Sequence, residues 1–233
     1  MPDSQAPPGR SGWQRFSAVA AALPLLLLWD ASGLDLTLAH WFGTPEGFPL
    51  QYNPFLQSWL HDGARQLGWA ALALLIASVW HPIGPLTQLP RSQRVWMVTA
   101  VVASLVLVVA IKAMSRTSCP WDLAEFGGSA AYVSHWAWGV KDGGDGRCFP
   151  GGHASTAFAF LALAVWLRDV SGTASNRVYL AVLILGFTLG WVQQARGAHY
   201  LSHTLWTGWI CWTVAVTLHS LASRRSTSGL SRT

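Results

Sequence analysis

Apolar residues in this chain fall into six long runs, and short polar stretches separate one run from the next. A helix needs about 20 mostly apolar residues to cross a bilayer, and flanking residues can extend a shorter run to that length. The pattern predicts an all-α protein, an integral membrane bundle of six transmembrane helices. The expected helices cover residues 16–29, 66–80, 95–111, 154–167, 178–191 and 200 to about 221.

The polar stretches differ in character. Residues 1–12 are rich in Pro, Ser and Gly, which predicts a disordered tail. Residues 30–64 mix large apolar side chains with acidic ones, as in an amphipathic segment that lies on a membrane surface. Residues 113–152 form one long polar loop, and residues 222–233 form a basic tail. Because the chain shows no internal repeat and no linker, residues 1–233 are expected to form a single domain.

The composition agrees with a membrane protein. The chain is 52% hydrophobic and 11% charged, whereas soluble domains carry about 25% charged residues. Its 15 tryptophans suit the two membrane–water interfaces. A net charge of +5 would suggest nucleic acid as the partner of a soluble protein. Here the basic residues are scattered between apolar runs and form no block, so no nucleic-acid partner is expected.

The distribution of basic residues predicts an orientation. Six crossings place both termini on one side, and nine of the 15 basic residues then share that side. An excess of Lys and Arg marks the cytoplasmic side, so both termini are expected there. The cytoplasmic set is Arg10, Arg15, Arg91, Arg94, Arg168, Arg177, Arg224, Arg225 and Arg232, and the outer set is Arg65, Lys112, Arg116, Lys141, Arg147 and Arg196.

A glycine turn on the outer face is the first candidate site. Pro150 ends the polar loop, and Gly151 and Gly152 allow a sharp turn with accessible N–H groups. His153 follows at the expected start of a helix, where unpaired N–H groups and the helix dipole favour an anion. Taken alone the signal is weak, because a loop that ends in a helix often carries a histidine by chance.

Further ionisable residues are expected on the same face. Lys112 and Arg116 are four residues apart, so both point to one side if the third helix continues that far. Arg196, His199 and His203 would likewise share one stripe of a helix. Each has an alternative without a function. Lys112 and Arg116 could simply extend their charges to the membrane interface, and His203 could simply make a hydrogen bond inside its helix.

Two histidines, three cations and a glycine turn suit phosphoryl transfer without a metal or another cofactor. One imidazole attacks phosphorus and forms a phosphohistidine. The second imidazole protonates the leaving oxygen. Lysine and arginine side chains stabilise the charge on the equatorial oxygens.

Three short motifs carry a resemblance to a known family. The chain has Lys-x6-Cys-Pro at 112–120, Pro-Gly-Gly-His at 150–153 and Gly-Ala-His-Tyr-Leu-Ser-His at 197–203. These resemble the signature of the type 2 phosphatidic acid phosphatases, membrane lipid phosphatases with Lys-x6-Arg-Pro, Pro-Ser-Gly-His and Ser-Arg-x5-His-x3-Asp. The three pieces occur in the right order with matching spacing, which is typical of a divergent bacterial branch of that family.

The resemblance implies a role for each matched residue. Lys112 and the N–H of Gly152 would bind phosphate, His153 would be the general acid and His199 the nucleophile. It also implies a multi-pass protein of the bacterial inner (plasma) membrane, with its site on the periplasmic face. The partners would be the bilayer and a membrane lipid phosphate, either a phosphomonoester or a pyrophosphate.

The chain departs from the signature at several positions. Cys119 replaces the first arginine, and Arg116, one turn earlier, is expected to supply the lost guanidinium. Gly151 replaces the serine, and its N–H is expected to bind phosphate. Gln193 replaces the second arginine, and Arg196 is expected to act in its place.

The last departure concerns the residue that orients the nucleophile. His203 stands where the family has aspartate, and a neutral imidazole orients a histidine less strongly than a carboxylate does. His203 is therefore expected to be a weaker member of the catalytic set. Asp122 and Glu125, in the outer loop, are candidates to supply a carboxylate.

The three cysteines have different expected roles. Cys211 lies in the sixth apolar run and is expected to be a small buried residue. Cys119 and Cys148 both lie in the outer loop and are expected to form a disulfide if that side is oxidising. The disulfide would hold the Lys112 segment against the glycine turn. The alternative is two unpaired loop cysteines.

Three other functions remain open from the sequence. Transfer of the phosphoryl group to a lipid acceptor is the same chemistry as its hydrolysis. His153, His199 and His203 could instead bind zinc or iron, although the nearby cations would repel a metal. The protein could also be a scaffold without activity. The motifs do not select among phosphatidic acid, phosphatidylglycerol phosphate, undecaprenyl pyrophosphate and lipid A, and they do not give an oligomeric state.

Overall fold

The computed structural model describes residues 12–137 and 139–230, and this part of the chain is helical. It contains no β-strand, only two isolated bridges. The predicted tail at 1–12 lies almost entirely outside the described residues. The α-helices are α1 (Gly12–Ala31), α2 (Leu34–Ala39), α3 (Ala64–Ala77), α4 (Arg91–Met114), α5 (Gly152–Phe158), α6 (Leu161–Leu167), α7 (Gly172–Ala195) and α8 (Leu201–Leu230).

Each of the six predicted segments is helical. By length and apolar composition, two helices of the described chain can cross a membrane, namely α4 and α7. The most apolar 18-residue window of α4 is only 28% buried inside the molecule, and that of α7 only 44%. Shorter apolar helices cover Phe16–Ala31 and Gly152–Leu167. The all-α class is thus confirmed, whereas six crossings stay a prediction.

Two of the predicted boundaries were wrong. The fourth apolar run is not one helix, because a turn at Ala159 and Phe160 divides it into α5 and α6. The predicted tail at 222–233 is helical as far as Leu230. Residues 222–228 contain neither Pro nor Gly, so nothing in that stretch ends the helix.

Helix α8 lies at the centre of the bundle. It packs against α1, α4, α5, α6 and α7. The largest core cluster includes the fully buried Met97 and Val101 of α4, Trp166 of α6, and Ala215 and Val216 of α8. The core therefore fixes the position of α8 relative to α4 and α6.

The helices gather several termini at one end of the bundle, here called the site end. Helices α1, α4 and α7 finish there, and α5 and α8 begin there. The loop at 115–151 and the segment at 32–63 cover this end. That segment contains α2 and a π-helical stretch, Leu56–Gly63. Phe48 and Phe126 join the segment and the loop, with ring centroids 4.9 Å apart.

Large apolar side chains are exposed on the outside of the bundle. Leu67 and Leu74 of α3 are 72% and 73% exposed, and Val109 of α4 is 65% exposed. Leu180 and Ile184 of α7 are exposed in the same way. Soluble monomers rarely expose apolar surface of this extent.

Candidate active site

The three motif segments meet at the site end. Lys112 lies in the last turn of α4, and Gly152 begins α5. A Cβ on Gly152 would lie 3.8 Å from Cδ of Lys112, so these two motifs are in contact. The N–H of Gly151 donates to the carbonyl of His203 at 3.2 Å. The glycine turn is thereby attached to the lysine on one side and to the first turn of α8 on the other.

His199 occupies the short turn between α7 and α8. Gly197 allows this turn, because its φ of +75° is unfavourable for other residues and a side chain there would overlap the ring of Phe48. His199 is 4% exposed, and His203, in the first turn of α8, is 1% exposed. The expected stripe of one helix was wrong, since Arg196 and His199 lie beyond the end of α7.

The rings of His199 and His203 are nevertheless in contact. Their Nδ1 atoms are 3.4 Å apart. If the hydrogen is on Nδ1 of His199, that nitrogen donates to His203, and Nε2 of His199 keeps its lone pair for attack. Sequence spacing alone predicted the proximity of the two rings, although not the turn that produces it.

The surroundings of His199 keep its imidazole neutral. Burial lowers the pKa of His199 well below its usual value, and the nearby charges of Lys112, His203 and His153 lower the pKa further. The backbone of Cys148 has the opposite, smaller effect. A neutral imidazole has the free lone pair that a nucleophile needs.

The two arginines lie elsewhere than expected. Helix α4 ends at Met114 and Ser115 is extended, so Arg116 is not on the helical face of Lys112, and it is exposed. Arg196 is buried, and its Nε and Nη2 donate to the carbonyl of Gln51 at 3.1 Å and 3.0 Å. Its guanidinium therefore anchors the segment at 32–63, which covers the site end.

The residues that replace signature side chains also have structural partners. Oε1 of Gln193 accepts a hydrogen bond from Nη1 of Arg196 at 3.5 Å. The N–H of Gly151 is occupied by the carbonyl of His203, so the expectation that it binds phosphate was wrong. Of the two turn glycines, Gly152 is the one beside Lys112.

Cys119 and Cys148 are joined by a disulfide, with their Cα atoms 5.1 Å apart. The bond closes the outer loop on itself beside His199. Sγ of Cys148 lies 3.6 Å from Nδ1 of His199. Cys211 is a free, buried cysteine in α8.

A metal site would need a different arrangement of ligands. In the described chain, the three side chains that are close enough together to share an ion are Cys119, Cys148 and His199. Both sulfurs are already bonded to each other.

The sequence analysis gave no catalytic role to two residues near the histidine pair, Asp30 and His135. His135 stacks on Phe149, with centroids 4.2 Å apart, and its ring centroid is 5.6 Å from that of His203. Its Nε2 lies 3.4 Å from Oδ2 of Asp30, at the end of α1. Asp30 is the first charged residue after an apolar run, but no pattern connects it with a histidine in a distant loop.

The two carboxylates expected to support the nucleophile have other partners. Asp122 accepts a hydrogen bond from the backbone N–H of Cys119 at 3.1 Å. Glu125 pairs with His40 at 2.7 Å, and both side chains are exposed.

Comparison with known proteins agrees with the motifs. No curated protein and no solved structure matches the chain. A family model described as the PAP2 superfamily matches residues 93–226, which is more than half of the chain and includes the three motif segments. The chain therefore belongs to the PAP2 superfamily, whose members are phosphatases.

Proposed function

We propose that this protein is a metal-independent phosphatase of the inner membrane. It removes phosphate from a lipid phosphomonoester or pyrophosphate at the outer face, through a phosphohistidine on His199. One observation carries the proposal: the three separate motif segments converge, with Lys112 against Gly152, and Gly151 bonded to His203 beside the nucleophile.

The residues support a two-step reaction. Nε2 of His199 attacks phosphorus, the bond to the leaving oxygen breaks, and His153 gives that oxygen a proton. Water then attacks the phosphohistidine, His153 takes a proton back from the water, and free phosphate leaves with His199 regenerated. Lys112 and the N–H of Gly152 stabilise the negative oxygens in both steps.

The exposed surface of the bundle supports a lipid substrate. Apolar side chains of α3, α4 and α7 face outward, as they do in a bilayer. The site lies where several helices end, at the level at which a lipid headgroup meets water. A substrate with its chains in the membrane would present its phosphate at this height.

Phosphate release from a panel of lipid phosphates tests the proposal. Detergent-purified wild type, with EDTA present, is compared with His199→Ala and with His81→Ala, an exposed histidine in the loop after α3. Wild type and His81→Ala are expected to release phosphate, whereas loss of the nucleophile should reduce release by more than about 1,000-fold. Comparable release by His199→Ala, or a complete loss caused by EDTA, would contradict the mechanism.

A further inference from the structure

The nucleophile has an imidazole as its orienting partner, and an imidazole carries no negative charge. When Nε2 of His199 attacks, positive charge develops on the ring, and an acceptor at Nδ1 with negative charge behind it stabilises that charge. His203 provides the acceptor, with the two Nδ1 atoms 3.4 Å apart. The negative charge has to come from another residue.

Asp30 is a buried carboxylate that lies beside the ring of His135. Its side chain is 7% exposed. Oδ2 accepts hydrogen bonds from Nε1 of Trp136 at 2.9 Å and from Nε1 of Trp206 at 2.8 Å. Oδ1 is buried without a hydrogen-bond partner. A carboxylate in such a place costs free energy, since water is replaced by few partners.

His135 connects Asp30 with the catalytic histidines. Nε2 of His135 is 3.4 Å from Oδ2 of Asp30, and its side chain is 8% exposed. The ring is held by parallel stacking on Phe149, which directly precedes the glycine turn. From there it meets the ring of His203 at an interplanar angle of 83°. Successive contacts thus connect Asp30 with His135, His135 with His203, and His203 with His199, and all four side chains are buried.

Asp35 and Asp142, the other buried carboxylates described at this end, have hydrogen-bond partners other than histidines. Asp35 accepts from Nε1 of Trp29 at 2.9 Å and from the backbone N–H of Ser202 at 3.0 Å. Asp142 accepts from the hydroxyl of Ser118 at 2.8 Å. These contacts cap backbone and loop groups.

We propose that Asp30 and His135 are positioning residues for His199, and that they supply through His203 the negative charge which position 203 itself lacks. The inference rests on the proposed function and adds two residues to its site. His135 lies between Asp30 and His203: its Nε2, which has no hydrogen-bond partner in the described part of the chain, is 3.4 Å from Oδ2 of Asp30, and its ring meets the ring of His203. The carboxylate stabilises the positive charge that develops on His199 during attack, without taking a proton.

A double-mutant cycle tests this role. Asp30→Asn and His135→Phe, which preserves stacking on Phe149, are each made in wild type and in His203→Asp. In wild type each change is expected to lower kcat roughly 10- to 100-fold, as is usual for residues that support a ligand or nucleophile from behind. In His203→Asp, a carboxylate contacts His199 directly, so the same changes should cost less than about threefold.

Asp35→Asn is the matched control, because it removes a second buried carboxylate that contacts α8. Its effect on kcat should be the same in both backgrounds, whatever its size. Equal losses for Asp30→Asn in the two backgrounds would mean that Asp30 only stabilises the fold, and would overturn the proposal.

An independent measurement separates this proposal from the proposed function. Histidine-labelled protein is studied by heteronuclear NMR, and the ring nitrogens of His203 and His199 should shift in Asp30→Asn but not in Asp35→Asn. If the chemical shifts of these nitrogens stay unchanged in Asp30→Asn, the proposal is overturned. This result can be obtained even if the enzyme is inactive or the His203→Asp variant does not fold. Absence of phosphate release by wild type, with the shifts present, would refute the phosphatase function alone.

Discussion

The three cationic side chains near the site, Lys112, Arg116 and Arg196, differ in how well they are placed to bind a phosphate. Lys112 points towards the glycine turn and lies close enough to lower the pKa of His199. The guanidinium of Arg196 is bonded to the carbonyl of Gln51. Arg116 lies past the end of α4 and is exposed. Lys112 is therefore the cation best placed to hold a phosphate next to His199.

This difference predicts unequal effects of two alanine substitutions. Lys112→Ala should lower kcat about 100- to 1,000-fold, because a half-buried cation that faces developing charge is lost. Arg116→Ala should change kcat by less than about threefold, since an exposed charge is screened by solvent. Steady-state phosphate release measures both. A large loss in Arg116→Ala with little change in Lys112→Ala would mean that the roles are reversed.

At the level of residues, the sequence predicted contacts between side chains that lie close together along the chain. The contact between His199 and His203, which are four residues apart, is an example. The sequence did not predict contacts made across the fold: the stacking of His135 on Phe149, the pairing of His135 with Asp30, and the use of Arg196 to anchor Gln51. Such contacts depend on how helices and loops are arranged, which local spacing does not determine.

Among the helices, α7 and α8 come closest where the site begins. A Cβ on Gly190 of α7 would overlap the side chain of Thr204, in the first turn of α8. One turn earlier, a Cβ on Gly186 would overlap the ring of Phe158 in α5. The small residues let α7 approach α5 and α8, the helices that carry the proposed catalytic residues His153 and His203. The separation of those helices is therefore determined partly by glycines outside the motifs.

Two substitutions on the same helix test this packing. Gly190→Ala should lower the free energy of unfolding by about 1–3 kcal/mol, because the added methyl group has no space. It should also lower kcat, since Thr204 adjoins His203. Gly172→Ala, at the start of α7 with no atom within 4 Å of the new Cβ, should leave both unchanged. Thermal unfolding followed by tryptophan fluorescence and phosphate release would show the difference, and identical behaviour of the two variants would contradict the close approach.

The helices themselves were the most predictable part of the fold. Long apolar runs between polar stretches were enough to predict six helical regions, since a backbone in apolar surroundings has to satisfy its own hydrogen bonds. The turn between α5 and α6 was missed, because residues 154–167 contain no Pro or Gly to mark it. The continuation of α8 to Leu230 was also missed, because the polar residues after position 221 were taken as the end of the helix.

Considered as a whole, the molecule has an apolar circumference and two polar ends of different composition. At the end opposite the site, Arg91 lies over the ring of Trp80, and Arg225 lies over the ring of Trp96. Arginine on tryptophan is suited to a membrane interface, where one partner is wet and the other apolar. This arrangement supports the proposed orientation, with the arginine-rich end in the cytoplasm.

Cysteine labelling in intact cells tests the orientation. Ser92→Cys places an exposed thiol at the start of α4, and Lys141→Cys places one in the loop that covers the site. A membrane-impermeant maleimide should label Lys141→Cys in intact cells, and Ser92→Cys only after permeabilisation. The reverse pattern would mean that the site faces the cytoplasm, whereas labelling of both in intact cells would rule out a membrane barrier between the two ends.

The disulfide described above has a consequence for how the protein matures. Its sulfur at Cys148 lies beside the nitrogen of His199 that is not expected to attack, and the bond closes the loop over the site. A newly synthesised chain carries two thiols at these positions and lacks this support. In the proposed orientation the bond forms only after the loop has been exported to an oxidising compartment. Full activity would then be acquired after export, and phosphate esters inside the cell would be spared during biosynthesis.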